Sequence, residues 1–265
     1  KLEGLYQLAR EGSLEDRYKK VEDIRENNVK EQTTLTMDIA RIKSDIAGIA
    51  ESLSIEPIDA DINFYPNEKQ KFKLTPEQDG QEVDADELYQ YVEQVFLSEQ
   101  PGTVVIEPIV VEAEVRMADL EKATSKLVTF STSMSGSSEN RMSNIGLALK
   151  KINGTKLNPG EVFSFNEVVG RRTEKAGFKP APTIAADKSM KDEIGGGICQ
   201  ASSTMFNAAA LAGLEIVERF HHSFPISYLD PGFDAMVSWG AADLKFRNNK
   251  DTPVFIRSYR SGTKA

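Results

Sequence analysis

From residue 35 onward the apolar positions Leu35, Ile39, Ile42, Ile46, Ile49 and Leu53 recur at spacings of four, three, four, three and four. That rhythm puts them on one stripe of an α-helix. The run is too short for a coiled coil and Pro57 closes it, so it predicts one helix with a buried face. Residues 1 to about 32 are polar and predict helix with a break near Gly12. Downstream, "DINFY" and "KFKL" predict short strands before the turn text "TPEQDG". Asp84 followed by Glu87 predicts a capping box, with Leu88, Val92, Val95 and Phe96 as the apolar face of the helix behind it. "PG" at 101–102 ends that helix, and "TVVIEPIVVEAEV" predicts sheet.

"STSMSGSSEN", residues 131–140, is a run of small polar residues and predicts a linker. Beyond it Met142, Ile145 and Leu149 mark a helix ending near Gly154; "LNPGEVFSFN" reads as turn and strand, and "GRRTEKAGFKPAP" as a basic loop. "IGGGICQASSTMFNAAALAGL", residues 194–214, reads as a loop running into a helix that closes at Gly213. "LEIVERF", "ISYL", "DAMVSW", "DLKFRN" and "VFIRSY" then predict short strands. The expected fold class is α+β twice over, one domain spanning residues 1–130 with the linker and a second spanning 131–265.

Composition changes this picture mainly by exclusion. The chain has 265 residues, 40% hydrophobic and 28% charged, with no apolar run long enough to span a bilayer. Its formal net charge of −9 argues against nucleic acid as a partner, which would need a concentrated basic face. A single cysteine rules out an internal disulfide and any multi-cysteine zinc site. The chain opens on Lys1 with no signal-peptide pattern, and it reads as a piece of a longer parent that carries any leader or membrane anchor elsewhere.

The candidate chemistry lies in the second half. Cys199 falls at about the first turn of its helix, where orphan N–H groups and the helix dipole favour thiolate. A small buried hydrophobe is the equally ready alternative. Gly195, Gly196 and Gly197 either leave N–H groups open for an oxyanion and room for a substrate backbone, or simply form a tight turn. The only histidines, His221 and His222, open a strand-like stretch, so at most one can face the thiol. A cysteine at a helix start followed by a histidine on a strand is the papain-like order, although a satisfied structural histidine remains open. Asp234 is the first candidate to orient the imidazole and Asp243 the reserve. Arg172, in "RRTEK", is either a solvated loop residue or a fork for a substrate carboxylate.

Four blocks, "NRMSNIGLALKKINGTKLNPGEVFSFNEVVGRRTEKAGF", "GGGICQASSTMFNAA", "ERFHHSFPISYLDPGFDAMV" and "DLKFRNN", together resemble the VanW family of bacterial cell-envelope proteins over roughly residues 135–260. Residues 1 to about 116, chiefly around "DGQEVDADEL", resemble the peptidoglycan-binding domain that often precedes a VanW domain. The resemblance implies an exported, membrane-anchored protein of Gram-positive bacteria acting at the cell wall. It further implies L,D-transpeptidation, the formation of cross-links between diaminopimelate residues of peptidoglycan stem peptides. The family's cysteine falls on Cys199, its histidine before serine on His222 and its aspartate before alanine on Asp234. His221 stands where relatives often have asparagine. Gln200, Ser202 and Thr204 belong to the same block as helix-start groups, with Gln200 and Ser202 also counted as substrate contacts. The expected activity is acyl transfer through a Cys199 thioester, with no metal and no organic cofactor. A wall peptidase, in which water resolves the thioester, and a non-catalytic wall-binding protein are the alternatives.

Overall fold

In a computed structural model the described residues are 10–27, 38–98, 100–184 and 190–265. They pack as two compact units, one built from residues up to Ser54 and from Val83–Pro108, the other from Ile55–Glu82 and Ile109–Ala265. Packing thus groups 55–82 and 109–130 with the C-terminal residues, a different division from a sequence boundary near residue 130.

The described part of the first unit is helical. Helix α1 (Leu14–Glu26) starts at a reciprocal capping box between Ser13 and Asp16 and buries no residue. A 3-10 turn (Ile39–Ile42) leads into α2 (Lys43–Leu53), and Asp84 caps α3 (Ala85–Leu97) by accepting the amides of Asp86 and Glu87. Glu87 accepts the Tyr91 hydroxyl at 3.1 Å. Ile46 and Ala50 pack with Val83 and Leu88 into a small core. The apolar stripe of α2 is only half used, since Ile49 and Leu53 are 51% and 42% exposed. The buried helix that the periodicity predicts is therefore an amphipathic one whose contact covers part of the stripe. Leu35 lies outside the described residues.

The second unit begins with β1 (Asp61–Phe64), β2 (Phe72–Thr75), β3 (Gly80–Glu82) and β4 (Ile109–Val111), followed by α4 (Met117–Lys122). It continues through α5 (Glu139–Ile152), β5 (Lys156–Leu157), β6 (Val162–Ser164), α6 (Phe165–Val169), β7 (Pro180–Ile184) and β8 (Met190–Ile194). Helix α7 (Ile198–Leu211), β9 (Glu215–Glu218), β10 (Lys245–Arg247) and β11 (Val254–Phe255) complete it. All pairings are antiparallel: β1 with β2, β3 with β4, β5 with β11, the hairpin β7–β8, and a three-stranded sheet in the order β6-β10-β9. Ile145, Ala148 and Ile152 of α5 and Ala201 of α7 join Phe163, Phe165, Phe178, Leu244 and Phe246 in the main core. Phe163 and Phe246 stack across the β6–β10 pair with ring centroids 4.6 Å apart.

Three expectations need correction. Residues 131–138 are no free linker: Thr132 and Ala265 exchange two backbone hydrogen bonds, Met134 donates to the Thr263 carbonyl at 2.7 Å, and its side chain is 1% exposed. Of the run "TVVIEPIVVEAEV" only Ile109–Val111 forms a ladder. "ISYL" and "DAMVSW" are not strands either. The latter contributes only isolated bridges, Phe220 to Met236 and Ser238 to Ala242.

Candidate active site

Local packing explains the three glycines before α7. Gly195 and Gly197 have φ of +89° and +99°, a region that side-chain-bearing residues avoid. A Cβ on Gly196 would fall 2.2 Å from the Ala181 carbonyl oxygen of β7, and one on Gly197 would fall 2.8 Å from Cγ of Arg141 on α5. The amides of Gly195 and Gly196 are also committed, donating to Lys179 O and Glu193 O at 3.1 Å each. These two N–H groups therefore do not wait for an oxyanion. Cys199 is the second residue of α7, so its own amide lies in the turn where helical N–H groups lack intrahelical acceptors. Its Sγ lies 3.6 Å from the Val237 carbonyl oxygen.

His222 follows β9 but sits in a loop, not on the strand expected for it. The backbone amide that would enter a ladder instead donates to Asp234 Oδ2 at 2.7 Å, and ring Nδ1 meets the same oxygen at 2.6 Å. Asp234 thus fixes backbone and ring together. Cys199 lies within electrostatic reach of the ring. With Nδ1 engaged by the carboxylate, Nε2 is the ring nitrogen free of that bond. His221 points elsewhere: it is exposed, with Nδ1 3.0 Å from the His222 carbonyl oxygen.

Arg219 is a site residue that the sequence pattern did not single out. Its Nη2 donates to Asp234 Oδ1 at 3.2 Å and to Gly232 O at 2.8 Å, and its Nε donates to Asp234 O at 2.7 Å. The fork clamps the loop that carries the carboxylate. Asp243, the reserve orienting acid, is occupied elsewhere, accepting from Ser164 Oγ at 2.5 Å, Asn166 N at 2.9 Å and Leu244 N at 2.8 Å. It ties α6 to β10 and makes no bond to either histidine.

Two residues expected to touch substrate are structural. Gln200, 1% exposed, accepts from Arg141 Nη1 at 2.7 Å and donates to Thr132 Oγ1 at 3.0 Å and Ser133 O at 2.8 Å. Ser202, fully buried, donates to the carbonyls of Ala235 at 2.5 Å and Cys199 at 3.1 Å. Thr204 bonds back to Gln200 O at 2.7 Å and to Thr132 Oγ1 at 2.7 Å. The polar face of α7 thereby anchors the 131–138 segment and the Asp234 loop around the cysteine.

The electrostatics follow from these contacts. Burial pushes the His222 imidazolium down, but Cys199 and Asp234 outweigh it and leave the ring above its ordinary value. Burial pushes the Asp234 carboxyl up, but the amide and ring of His222 outweigh that and hold it below the usual range. Tyr228, beside Ser203, has its hydroxyl raised by burial and by the field of Cys199, so it stays protonated. Arg141 and Arg172 lie within electrostatic reach of Cys199, and burial lowers both. The arrangement pairs an imidazole with a carboxylate, and Cys199 lies within electrostatic reach of that imidazole and of two arginines. Among the described residues, no group of three or more His, Cys, Asp or Glu side chains could hold a metal ion.

Comparison with known proteins defines the class. Residues 140–265 match the family model VanW, described as "VanW like protein", and residues 2–105 match one described as "Putative peptidoglycan binding domain". The chain thus carries a VanW-like domain preceded by a peptidoglycan-binding-type domain. It is 44% identical over 140 residues to "Uncharacterized protein YoaR" of Bacillus subtilis (strain 168), covering 53% of this chain and 46% of that protein. It is 37% identical over 118 residues to "Vancomycin B-type resistance protein VanW" of Enterococcus faecalis (strain ATCC 700802 / V583), covering 43% and 42%. The chain therefore spans under half the length of each of these relatives. No solved structure matches it significantly. No helix among the described residues is long and apolar enough to cross a membrane.

Proposed function

We propose that this protein is a cysteine-dependent acyltransferase of the cell wall, an L,D-transpeptidase acting on peptidoglycan stem peptides. The observation that carries the reading is the pair of bonds from His222 to Asp234 Oδ2, with Cys199 within electrostatic reach of the same ring. Such a carboxylate fixes the tautomer of a general base beside its nucleophile. The wall as the place of action rests on the two family matches.

In the first half-reaction His222 Nε2 takes the thiol proton and the sulfur attacks the donor carbonyl carbon. The tetrahedral oxyanion forms beside the Cys199 amide, and one such donor is worth about 3 kcal/mol. When the intermediate collapses the C–N bond breaks, and the imidazolium gives its proton to the departing amine, terminal D-alanine. In the second half, the side-chain amine of an acceptor diaminopimelate attacks the thioester and passes its proton to His222. The amide forms, sulfur leaves, and the thiol is restored. Asp234 stays ionised throughout, holding the ring. Residues 2–105 would keep the chain on its polymer.

Muropeptide analysis after incubation with purified donor and acceptor stems tests this reading. Cross-linked dimers with release of D-alanine are the expected products. Trimmed monomers alone would make water the acceptor and the protein a peptidase, and unchanged stems in the presence of folded protein would remove the enzymatic reading.

A further inference from the structure

The two arginines near Cys199 differ in one respect. Arg141 Nη1 is bonded to Ser137 Oγ at 2.8 Å and Gln200 Oε1 at 2.7 Å, so that guanidinium is part of the framework. Arg172 Nη1 and Nη2 are buried and have no hydrogen-bond partner among the described residues. The guanidinium carbon lies 5.6 Å from the centroid of the Phe165 ring, and the stem packs on Gly195, where a Cβ would come within 3.0 Å of Arg172 Cβ and Cγ. Asp243 is the acid in its field, but that carboxylate is spent on three other donors and forms no ion pair with it among the described residues. An unpartnered buried guanidinium is costly, and its planar fork matches a carboxylate. The stem of Arg172 packs on the glycine turn that leads into α7, and its charge lies within electrostatic reach of Cys199.

This inference rests on acyl transfer at Cys199 and specifies its donor. We infer that Arg172 binds the free α-carboxylate of the residue that leaves, so the protein acts only on stems ending one residue beyond the scissile bond. Across the leaving residue the carboxylate lies one residue from the attacked carbonyl, about 3.5 Å along the chain. A stem that continues, or whose end is a carboxamide, presents no anion and leaves the guanidinium unpaired. Selection then favours the terminal peptide bond over bonds inside existing cross-links.

The test uses tetrapeptide stems identical except for a C-terminal carboxylate or carboxamide. Binding is measured by calorimetry on the full chain carrying Cys199→Ala, and thioester formation by intact mass on the unaltered chain. The acid stem should bind roughly ten- to hundred-fold more tightly than the amide, the range for a hydrogen bond to a charged group. Adding Arg172→Gln should bring the acid stem down to the level of the amide and leave the amide unchanged. Arg172→Lys, which keeps the charge but loses the fork, should restore part of the preference. Equal binding of both stems, or thioesters formed equally fast from both, would overturn the assignment while leaving acyl transfer intact. A carboxylate preference with no thioester would keep Arg172 as an anion reader and overturn acyl transfer. No binding and no thioester would overturn both.

Discussion

The two packing units treat polar side chains in opposite ways. In the first, the described core is four buried apolar residues, Ile46, Ala50, Val83 and Leu88, and no polar side chain is buried. In the second, all thirteen buried polar or charged side chains among the described residues are found, from Thr132 to Ser258. Burying a polar group is tolerable only with a partner, so each one fixes a distance between segments far apart in sequence. Asn144 shows how: its side chain donates to Lys179 O at 2.8 Å and Gly196 O at 3.0 Å, and it accepts the Lys179 amide at 2.8 Å. One asparagine locks α5 to the hairpin and the glycine loop. The contrast teaches that the second unit is a hydrogen-bonded polar scaffold, Arg172 apart, able to hold side chains in register, whereas the first has the simpler construction of a helical packing module.

If that contrast is functional, the largest losses of activity belong to the second unit. Cys199→Ala should abolish product formation while the fold survives, because a half-buried helix-start cysteine loses little packing; chromatography of muropeptides with circular dichroism checks both. His222→Ala should cost the 10²–10⁴-fold typical of a general base, while His221→Ala should stay near the parent rate. Comparable losses in the two histidine variants would mean that the Asp234 contact does not mark the working ring.

Stability should divide the units next. Gly196→Ala puts a methyl 2.2 Å from a backbone carbonyl that cannot swing away, and overpacking of this kind costs about 1–3 kcal/mol or more. It should unfold the second unit at lower denaturant and take activity with it. Ile46→Ala removes buried apolar volume from the first core, at about 2–5 kcal/mol, and should leave turnover of soluble stems unchanged. Loss of soluble-stem activity in that variant, with the second unit still folded by hydrogen exchange, would show that the first unit completes the site.

The smallest effect is a pH dependence with a defined sign. His222 titrates above its ordinary 6.5 in the folded chain, so the stability it contributes is fully present below about 6.5. That contribution fades as pH rises through the raised folded value. Asp234 is lowered from 3.8, so its contribution is present above 3.8 and lost as pH falls through the lower folded value. Urea melts should therefore show the gap between the parent and His222→Ala narrowing from acid to alkaline pH. A gap that widens would contradict the pairing.

Much of the site was legible in the sequence for local reasons. Three glycines before an apolar run mark a helix start, and the lone cysteine falls in its first turn. Asp234 was readable as a candidate partner of the imidazole because cysteine, histidine and acid follow in a familiar order, and the structure shows its contact with His222. Less visible was anything decided by a distant partner. "ERFHHS" continues an alternating pattern, yet His222 leaves the ladder because a carboxylate twelve positions on takes its amide. Arg219 resembles an ordinary charged strand end until the Asp234 loop folds onto it. The segment at 131–138 has linker composition, but its backbone partners are residues 263 and 265 at the other end of the unit. Gln200 and Ser202 looked available to a substrate because polarity alone does not reveal burial.

The central claim is that Cys199 carries the acyl group between donor and acceptor. Intact-mass spectrometry of the full chain incubated with a tetrapeptide donor, with no acceptor amine present, tests it most directly. The account predicts a covalent adduct equal to the donor minus its terminal residue, located on Cys199 by peptide mapping, absent from Cys199→Ala, and discharged when an acceptor stem is added. An unmodified chain that is shown to be folded, or an adduct that persists in Cys199→Ala, would contradict it.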